Sequence, residues 1–387
     1  MFFFFFKQKP AYEFLSGLVG SDMCIKDRLP TADLTASTFK SKANKWVKTP
    51  GLVDLQVNGF AGVDFNSPGL TSDSLQLSLE AMLATGVTAC LPTIITGSET
   101  HLHTCFSALE KARKSSRLAK TMVTGYHLEG PFLSELPGYS GCHPVEAMCA
   151  ADPEMFLRLQ QAAGGNIRLV TLAPEVEGAI AFIEKLVQDR IIVSLGHTAA
   201  DNETIKQAVD AGARLSTHLG NGTCPELHKN NNPIIAQLSE DRLSASFIAD
   251  GYHLSPDVLK AYLRAKCTER VILVTDATAG AAAPQGRYKL GNSELQRETE
   301  PVILDPQTSR PVGSAVTLDQ CVRNVINWYD MPLKEAVSWA AENPLQLLNS
   351  AKVKTQLSAR EQTVWWKEEE EEWQVKAARS GKFLFEN

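Results

Sequence analysis

Long apolar runs are missing from this sequence of 387 residues. No stretch approaches the roughly 18 consecutive apolar residues of a membrane-spanning helix, so no helical span is expected. An excess of positive charge is missing too: 38 basic against 44 acidic side chains leave a net charge of −6, and the basic residues are scattered. The electrostatic footprint of a protein that binds nucleic acid or an anionic membrane is therefore absent, and any phosphate contact should be local. The eight cysteines (Cys24, Cys90, Cys105, Cys142, Cys149, Cys224, Cys267 and Cys321) include no CxxC pair, which leaves reduced, structural thiols as the expectation. The opening Met1–Phe6 run lacks the basic n-region and long apolar h-region of an export signal, so a cytoplasmic location is expected. What remains, 44% hydrophobic, 21% charged and 7% aromatic residues, is the composition of an ordinary globular chain.

Between about residues 50 and 345, short β-branched runs alternate with longer segments of helical period, the pattern of βα units around a parallel sheet. Eight runs stand out: Leu52–Val57, Thr88–Pro92, Met122–Tyr126, Ile167–Leu172, Ile191–Leu195, Leu215–Thr217, Leu243–Ile248 and Val271–Thr275. Helices are predicted between or after them, among them Thr71–Thr85, Pro174–Asp189, Asp201–Ala211 and Pro256–Lys266. Eight units predict an α/β fold, a closed (β/α)8 TIM barrel. A doubly wound open sheet more often carries a Gly-rich phosphate turn after its first strand, and Val57-Asn58-Gly59-Phe60-Ala61-Gly62 matches GxGxxG poorly.

Reactive side chains fall at or just beyond the C-terminal ends of these runs, the catalytic face of a barrel. Gln56 and Asn58 close the first run, His127 and Glu129 the third, His197 the fifth, His218 the sixth, Asp250 and His253 the seventh and Asp276 the eighth. Glu129, His197 and His218 offer one carboxylate and two imidazoles, a donor set for one catalytic divalent metal that leaves a position open for water. Zinc suits these donors, and donor type alone does not separate it from iron, cobalt or manganese. Any one of these histidines alone is better read as a hydrogen-bonded barrel residue; three donors together at strand ends reverse that. Asp276 follows an apolar strand, where its carboxylate can serve as general base, against the blander role of helix cap. His143 and His253 lie on loops of the same face, placed to polarise a carbonyl or bind substrate oxygens, or else to act as surface histidines.

These residues resemble the amidohydrolase superfamily and, within it, the N-acetylglucosamine-6-phosphate deacetylases. The resemblance rests on Pro50-Gly51-Leu52-Val53-Asp54-Leu55-Gln56-Val57-Asn58-Gly59, His127-Leu128-Glu129-Gly130-Pro131-Phe132, Gly196-His197-Thr198, Thr217-His218-Leu219-Gly220-Asn221-Gly222, Ile248-Ala249-Asp250-Gly251-Tyr252-His253, Val274-Thr275-Asp276-Ala277-Thr278 and Gly313-Ser314-Ala315-Val316-Thr317-Leu318, in the family's order. It implies that Glu129, His197 and His218 bind the metal and that Asp276 is both proton acceptor and donor. It implies that Cys142, His143, Asn221, Gly222, Asp250, Gly251, Tyr252, His253, Pro311, Val312 and Gly313 line a sugar-phosphate pocket, with His253 on the phosphate. It also implies a homodimer in which a cation from the neighbouring subunit meets that phosphate, and His228, with Lys229 beside it, occupies the corresponding stretch. Many amidohydrolases hold a second metal with a His-x-His pair on the first strand; Gln56-Val57-Asn58 stands there, so a mononuclear site is expected. The implied reaction is hydrolysis of the N-acetyl group of N-acetylglucosamine 6-phosphate, with His143 polarising the carbonyl.

The family's small β-sandwich is formed by both chain ends. Here residues 1–49 are an atypical segment, and residues 1–28, especially 7–28, resemble a translated adapter sequence; residues 346–387 are expected to supply the C-terminal strands, so the accessory domain is expected to be incomplete. Val364-Trp365-Trp366 and Trp373-Gln374-Val375 read as strands around a solvated charged turn, Lys367–Glu372. Rival readings are a deacetylase for the galactosamine epimer, a cyclic amidase, and a catalytically silent sugar-phosphate binder; the last is disfavoured because no ligand and no base is lost.

Overall fold

The computed structural model describes residues 45–299, 302–306, 311–351 and 361–386. The expectations for residues 1–44 lie outside these. Eight parallel strands form the barrel in chain order: Leu52–Val57, Val87–Ile95, Tyr126–Glu129, Ile167–Leu172, Ile192–Leu195, Leu215–Ser216, Ser244–Ile248 and Val271–Val274. Closure comes from a parallel bridge between Val57 and Ala277 and a 2.9 Å bond from Asp276 N–H to the Gln56 carbonyl. Burial of every residue in the first two strands explains why they read as continuous apolar runs.

Helices fill the crossovers, and their starts are written locally. Thr71, Ser98, Asp152, Asp201, Asn232 and Ser255 cap helix N-termini with their side chains; after Asp152, Asn232 and Ser255 a proline opens the first turn, where no N–H is needed. Two expectations are corrected. The third strand is Tyr126–Glu129, because Met122 ends the Arg117–Met122 helix with Leu118 and Met122 on its buried face; only Val123 keeps a bridge, to Cys90. The fourth crossover helix begins at Ala179, after a left-handed Gly178, since Glu175 is engaged elsewhere: its carboxylate accepts from Thr198 Oγ1 and Ala199 N–H.

A four-stranded antiparallel insert follows the eighth barrel strand and carries Pro311–Ser314 as its last strand. It was not expected, although Leu290-Gly291-Asn292-Ser293 between Gly286–Leu290 and Ser293–Arg297 is a two-residue hairpin signal. The chain ends build a sandwich-like accessory unit, a sheet ordered Trp46–Pro50, Gln362–Glu369, Glu372–Ser380, Phe383–Glu386. Its turn is narrower than expected: only Glu370 and Glu371 leave the strands, both at positive φ (51° and 68°), as a primed hairpin turn demands. Trp366, fully buried, donates from Nε1 to Thr49 Oγ1 at 2.9 Å. Gln362 and Ser380 donate to the Thr88 carbonyl, so the unit docks beside the N-terminal ends of the first two barrel strands, away from the mouth. Among the described residues no helix is long and apolar enough to cross a membrane.

Candidate active site

Three barrel strands deliver one donor each to a single point. His218 Nε2 lies 3.1 Å and His197 Nε2 3.5 Å from Glu129 Oε1, and the two nitrogens are 3.2 Å apart. His197 and His218, like Asp276, sit at positive φ (50°, 28° and 49°), a region non-glycine residues avoid unless the surroundings impose it. Strand-end backbone is thus bent to aim these side chains into the mouth. The His197 tautomer is set from behind: Nδ1–H donates to the Tyr139 carbonyl at 2.9 Å, leaving the Nε2 lone pair free for an ion. His218 is held by its backbone N–H, which donates to Ser246 Oγ at 2.8 Å, while its buried Nδ1 has no partner among the described residues. Two imidazole nitrogens facing a carboxylate need a cation between them, a proton or a metal, and this donor set fits a divalent ion.

Electrostatics agree with that geometry. Burial opposes ionisation of Glu129, but His197 and His218, when protonated, outweigh it and hold the carboxyl well below its usual range. For His218, burial works against the charged form and the Glu129 bond and charge overcome it, raising its pKa.

His143 completes a second possible group, since its donor atoms, with those of Glu129 and His197, lie within 4.8 Å of one another. The tighter set is Glu129, His197 and His218. The His143 ring is engaged at Nδ1, which receives the Thr96 backbone N–H at 3.4 Å and lies 2.7 Å from Thr96 Oγ1. A lone pair at Nδ1 places the proton on Nε2, which makes the ring a donor and not a ligand. Burial, with help from His197, keeps it neutral, its pKa pushed down to about 3.

Asp276 is held by the first strand: Asn58 Nδ2 donates to Oδ1 at 2.7 Å and Gln56 Nε2 at 3.1 Å, and Gln56 also donates to Glu129 Oε1 at 3.0 Å. Burial and the neighbouring Glu129 charge push the Asp276 carboxyl up to about 6. The insert braces the same residue, for Ser314 N–H donates to the Asp276 carbonyl at 2.9 Å.

The remaining predicted residues are placed unevenly. Cys142 contacts the apolar cluster that includes Val312, and burial pushes its thiol up. Gly313 (φ +62°) lies against the Asp276 carbonyl, where a Cβ would come within 2.9 Å. Asn221 donates to the His218 carbonyl, and Gly222 abuts the His197 ring. Asp250 organises its own turn, accepting from Tyr252 N–H and His253 N–H at 2.9 Å and bonding His253 Nδ1 at 2.6 Å. That bond leaves the His253 Nε2 uncommitted to Asp250, and Tyr252 is 45% exposed. His228 stands apart: it is exposed, and its hydrogen bonds among the described residues stay within its loop. His127 turns into the barrel between Thr93 and Thr171, and burial lowers its pKa to about 4. Thr96, Tyr139 and Ser246 escaped the sequence reading; each orients a site histidine through a contact that no local spacing encodes.

No family profile matches the chain. Curated relatives do. It is 33% identical over 317 residues to N-acetylglucosamine-6-phosphate deacetylase from Bos taurus, covering 80% of this chain and 76% of the relative. It is 31% identical to the Bacillus subtilis protein of that name, covering 78% of this chain and 75% of the relative. To N-acetylgalactosamine-6-phosphate deacetylase from a Shewanella species it is also 31% identical, covering 82% and 78%. Among solved structures, N-acetyl-D-glucosamine-6-phosphate deacetylase from Mycobacterium smegmatis superposes with a TM-score of 0.78 at 29% identity, covering 87% of each chain. Fold, site and relatives agree: the chain belongs to the N-acetylglucosamine-6-phosphate deacetylase family of amidohydrolases.

Proposed function

We propose that this enzyme hydrolyses the N-acetyl group of N-acetyl-D-glucosamine 6-phosphate to D-glucosamine 6-phosphate and acetate, in amino-sugar catabolism in the cytoplasm. The observation that carries the reading is the meeting of the Glu129, His197 and His218 donors within 3.5 Å, beside Asp276, in a chain 33% identical to a deacetylase of that name. Glu129, His197 and His218 would hold one divalent ion, zinc by preference. When bound, such an ion supplies Lewis acidity and makes water a stronger acid, its pKa moving toward about 7.

Asp276 takes the proton of the attacking water on its carboxylate, with Gln56 and Asn58 fixing Oδ1. His143, a neutral donor at Nε2, faces the acetyl oxygen as negative charge develops there. Asp276 then returns the proton to the sugar nitrogen, and the C–N bond breaks to release acetate and the free amine. His253, oriented by Asp250, would meet the phosphate, with Tyr252, Gly251, Asn221, Pro311, Val312 and Cys142 around the sugar. Residues 50–345 form the catalytic domain and the flanking strands its accessory unit. The working assembly is a homodimer, with His228 reaching the neighbouring subunit's phosphate site.

The test is acetate release from N-acetylglucosamine 6-phosphate by purified protein, with and without added zinc, beside Asp276→Asn. Turnover that requires metal and is lost in the variant supports the reading; folded, metal-loaded protein without turnover overturns it. The galactosamine epimer is run in parallel, because a relative named for it matches at 31% identity.

A further inference from the structure

The end of the barrel opposite the active site holds a cavity of about 650 Å³ whose wall includes Arg190, Arg214, Arg242 and Arg270. Four successive strands are each preceded by one of these arginines: Arg190 before Ile192–Leu195, Arg214 before Leu215–Ser216, Arg242 before Ser244–Ile248 and Arg270 before Val271–Val274. The barrel therefore gathers onto one face cations that the sequence spreads over some eighty positions. We infer that this cavity binds a small molecule carrying two or more linked phosphate groups.

The four guanidinium groups are not equivalent. Arg242 is committed, paired with Asp210 and Glu240 at 2.7 Å each. Arg214 is anchored through Nη1 to the Val209 and Ala213 carbonyls at 3.0 and 2.6 Å, with its remaining donors uncommitted among the described residues. Arg190 and Arg270 are exposed, and neither side chain has a hydrogen-bond or ion-pair partner among the described residues. Glu269 is the one acid in the wall among the described residues. Beneath it the Lys266 ammonium is used up on the Glu240 and Leu243 carbonyls. Arg190, Arg214 and Arg270 against Glu269 leave an excess of positive charge around one cavity, in a chain of net charge −6, and an anion is favoured among them.

Guanidinium forks match phosphate oxygens in pairs. The volume lies within the range of small-molecule sites and far exceeds what a single orthophosphate fills; a linked phosphate chain can span arginines from different strands. The strands that end in His197 and His218 begin in this wall, so the cavity and the active site lie at opposite ends of the same strands and one ligand cannot occupy both.

The experiment is calorimetric titration of the metal-loaded full chain with inorganic tripolyphosphate, at low and high salt, with ATP and adenosine as further arms. Binding with one ligand per chain, weakened by salt, is expected. The Arg190→Ala/Arg270→Ala double variant should lose about tenfold or more in affinity, and Glu269→Gln should gain. Heat from chelation of an active-site ion would persist in the double variant, which separates it from binding in this cavity. All three changed residues are exposed and outside the catalytic machinery, so deacetylation without phosphate ligand should be unchanged. ATP binding tighter than tripolyphosphate, with adenosine silent, identifies a nucleotide as the source; equal affinity identifies the phosphate chain alone. Absence of binding at about 1 mM ligand, or equal affinity in native and double-variant protein, overturns the inference.

Discussion

Replacing Gly222 by alanine isolates how the His197 ring is held. Gly222 has φ +56°, and a Cβ there would lie 2.4 Å from His197 Nδ1 and 2.5 Å from Cε1. Ordinary contact begins near 3.5 Å, so the ring must retreat by about 1 Å. It cannot do so freely: Nδ1–H is tied to the Tyr139 carbonyl at 2.9 Å, and the ring stands edge-on to His143 and His218, with centroids 4.4 and 4.9 Å away. Retreat carries Nε2 out of the triangle it forms with His218 and Glu129. The backbone contribution alone, alanine in a left-handed conformation, is roughly 1–2 kcal/mol. Loss of ligand orientation adds a fall in metal affinity of about 10- to 100-fold. Gly165→Ala is the control, because Gly165 has φ +76° and open space where the Cβ would go. Thermal unfolding and metal competition against a chelator read the two effects separately. Gly222→Ala that keeps native metal affinity, or that is destabilised no more than Gly165→Ala, refutes the reasoning.

Asp276→Asn should keep metal, measured by elemental analysis, and lose about 10²- to 10⁴-fold in kcat, the range for a general base. Because Asp276 must be ionised to accept a proton, kcat/KM of the metal-loaded enzyme should fall on the acid side as its carboxylate is protonated; an acid limb that persists unchanged in Asp276→Asn would contradict the assignment. Asp54 is buried and raised to about 7, chiefly by desolvation, with bonds from Thr275 and Gln56 opposing. The folded state thus binds a proton that the unfolded state has released, so this residue's contribution fades as pH rises from about 4 to 7. Denaturant titrations of Asp54→Asn should lack that decline. Chelation should abolish turnover and lower Tm together, since a ligand of the native state alone stabilises it; loss of activity with unchanged Tm would count against an ion held by Glu129, His197 and His218.

Much of this was legible because a barrel ties function to strand ends. The apolar runs at Leu52, Ile167 and Val271 could be placed from composition, and His197 and His218, just past their runs, pointed at the mouth, whereas His127, equally placed in sequence, turns into the barrel. Local competition moved the boundaries: Met122 belongs to a helix because its neighbours bury every third or fourth residue, and Pro174 stays outside one because Glu175 is engaged by Thr198 and Ala199. The insert was missed because its strands are short and polar on one side, with only Gly291-Asn292 as a signal. The orientation of His143, His197 and His218 was not legible, since Thr96, Tyr139 and Ser246 act across 47, 58 and 28 residues.

Gln56 explains how two carboxylates coexist beside one another in this site. Glu129 and Asp276 repel, which is part of why Asp276 is raised. In an enzyme with His-x-His on the first strand, a second cation can stand between such groups. Here one amide donates to both, at 3.0 Å to Glu129 and 3.1 Å to Asp276, and Asn58 adds a third bond at 2.7 Å. An N–H donor carries a fraction of a charge, so it bridges the pair without neutralising either. The result is a carboxylate held in place by partial charges alone, whereas a second full positive charge at that point would draw its pKa down further and weaken it as a base. Substituting amides for imidazoles on the first strand therefore does more than remove a metal site: it leaves Asp276 oriented and basic, the two properties its proposed role requires.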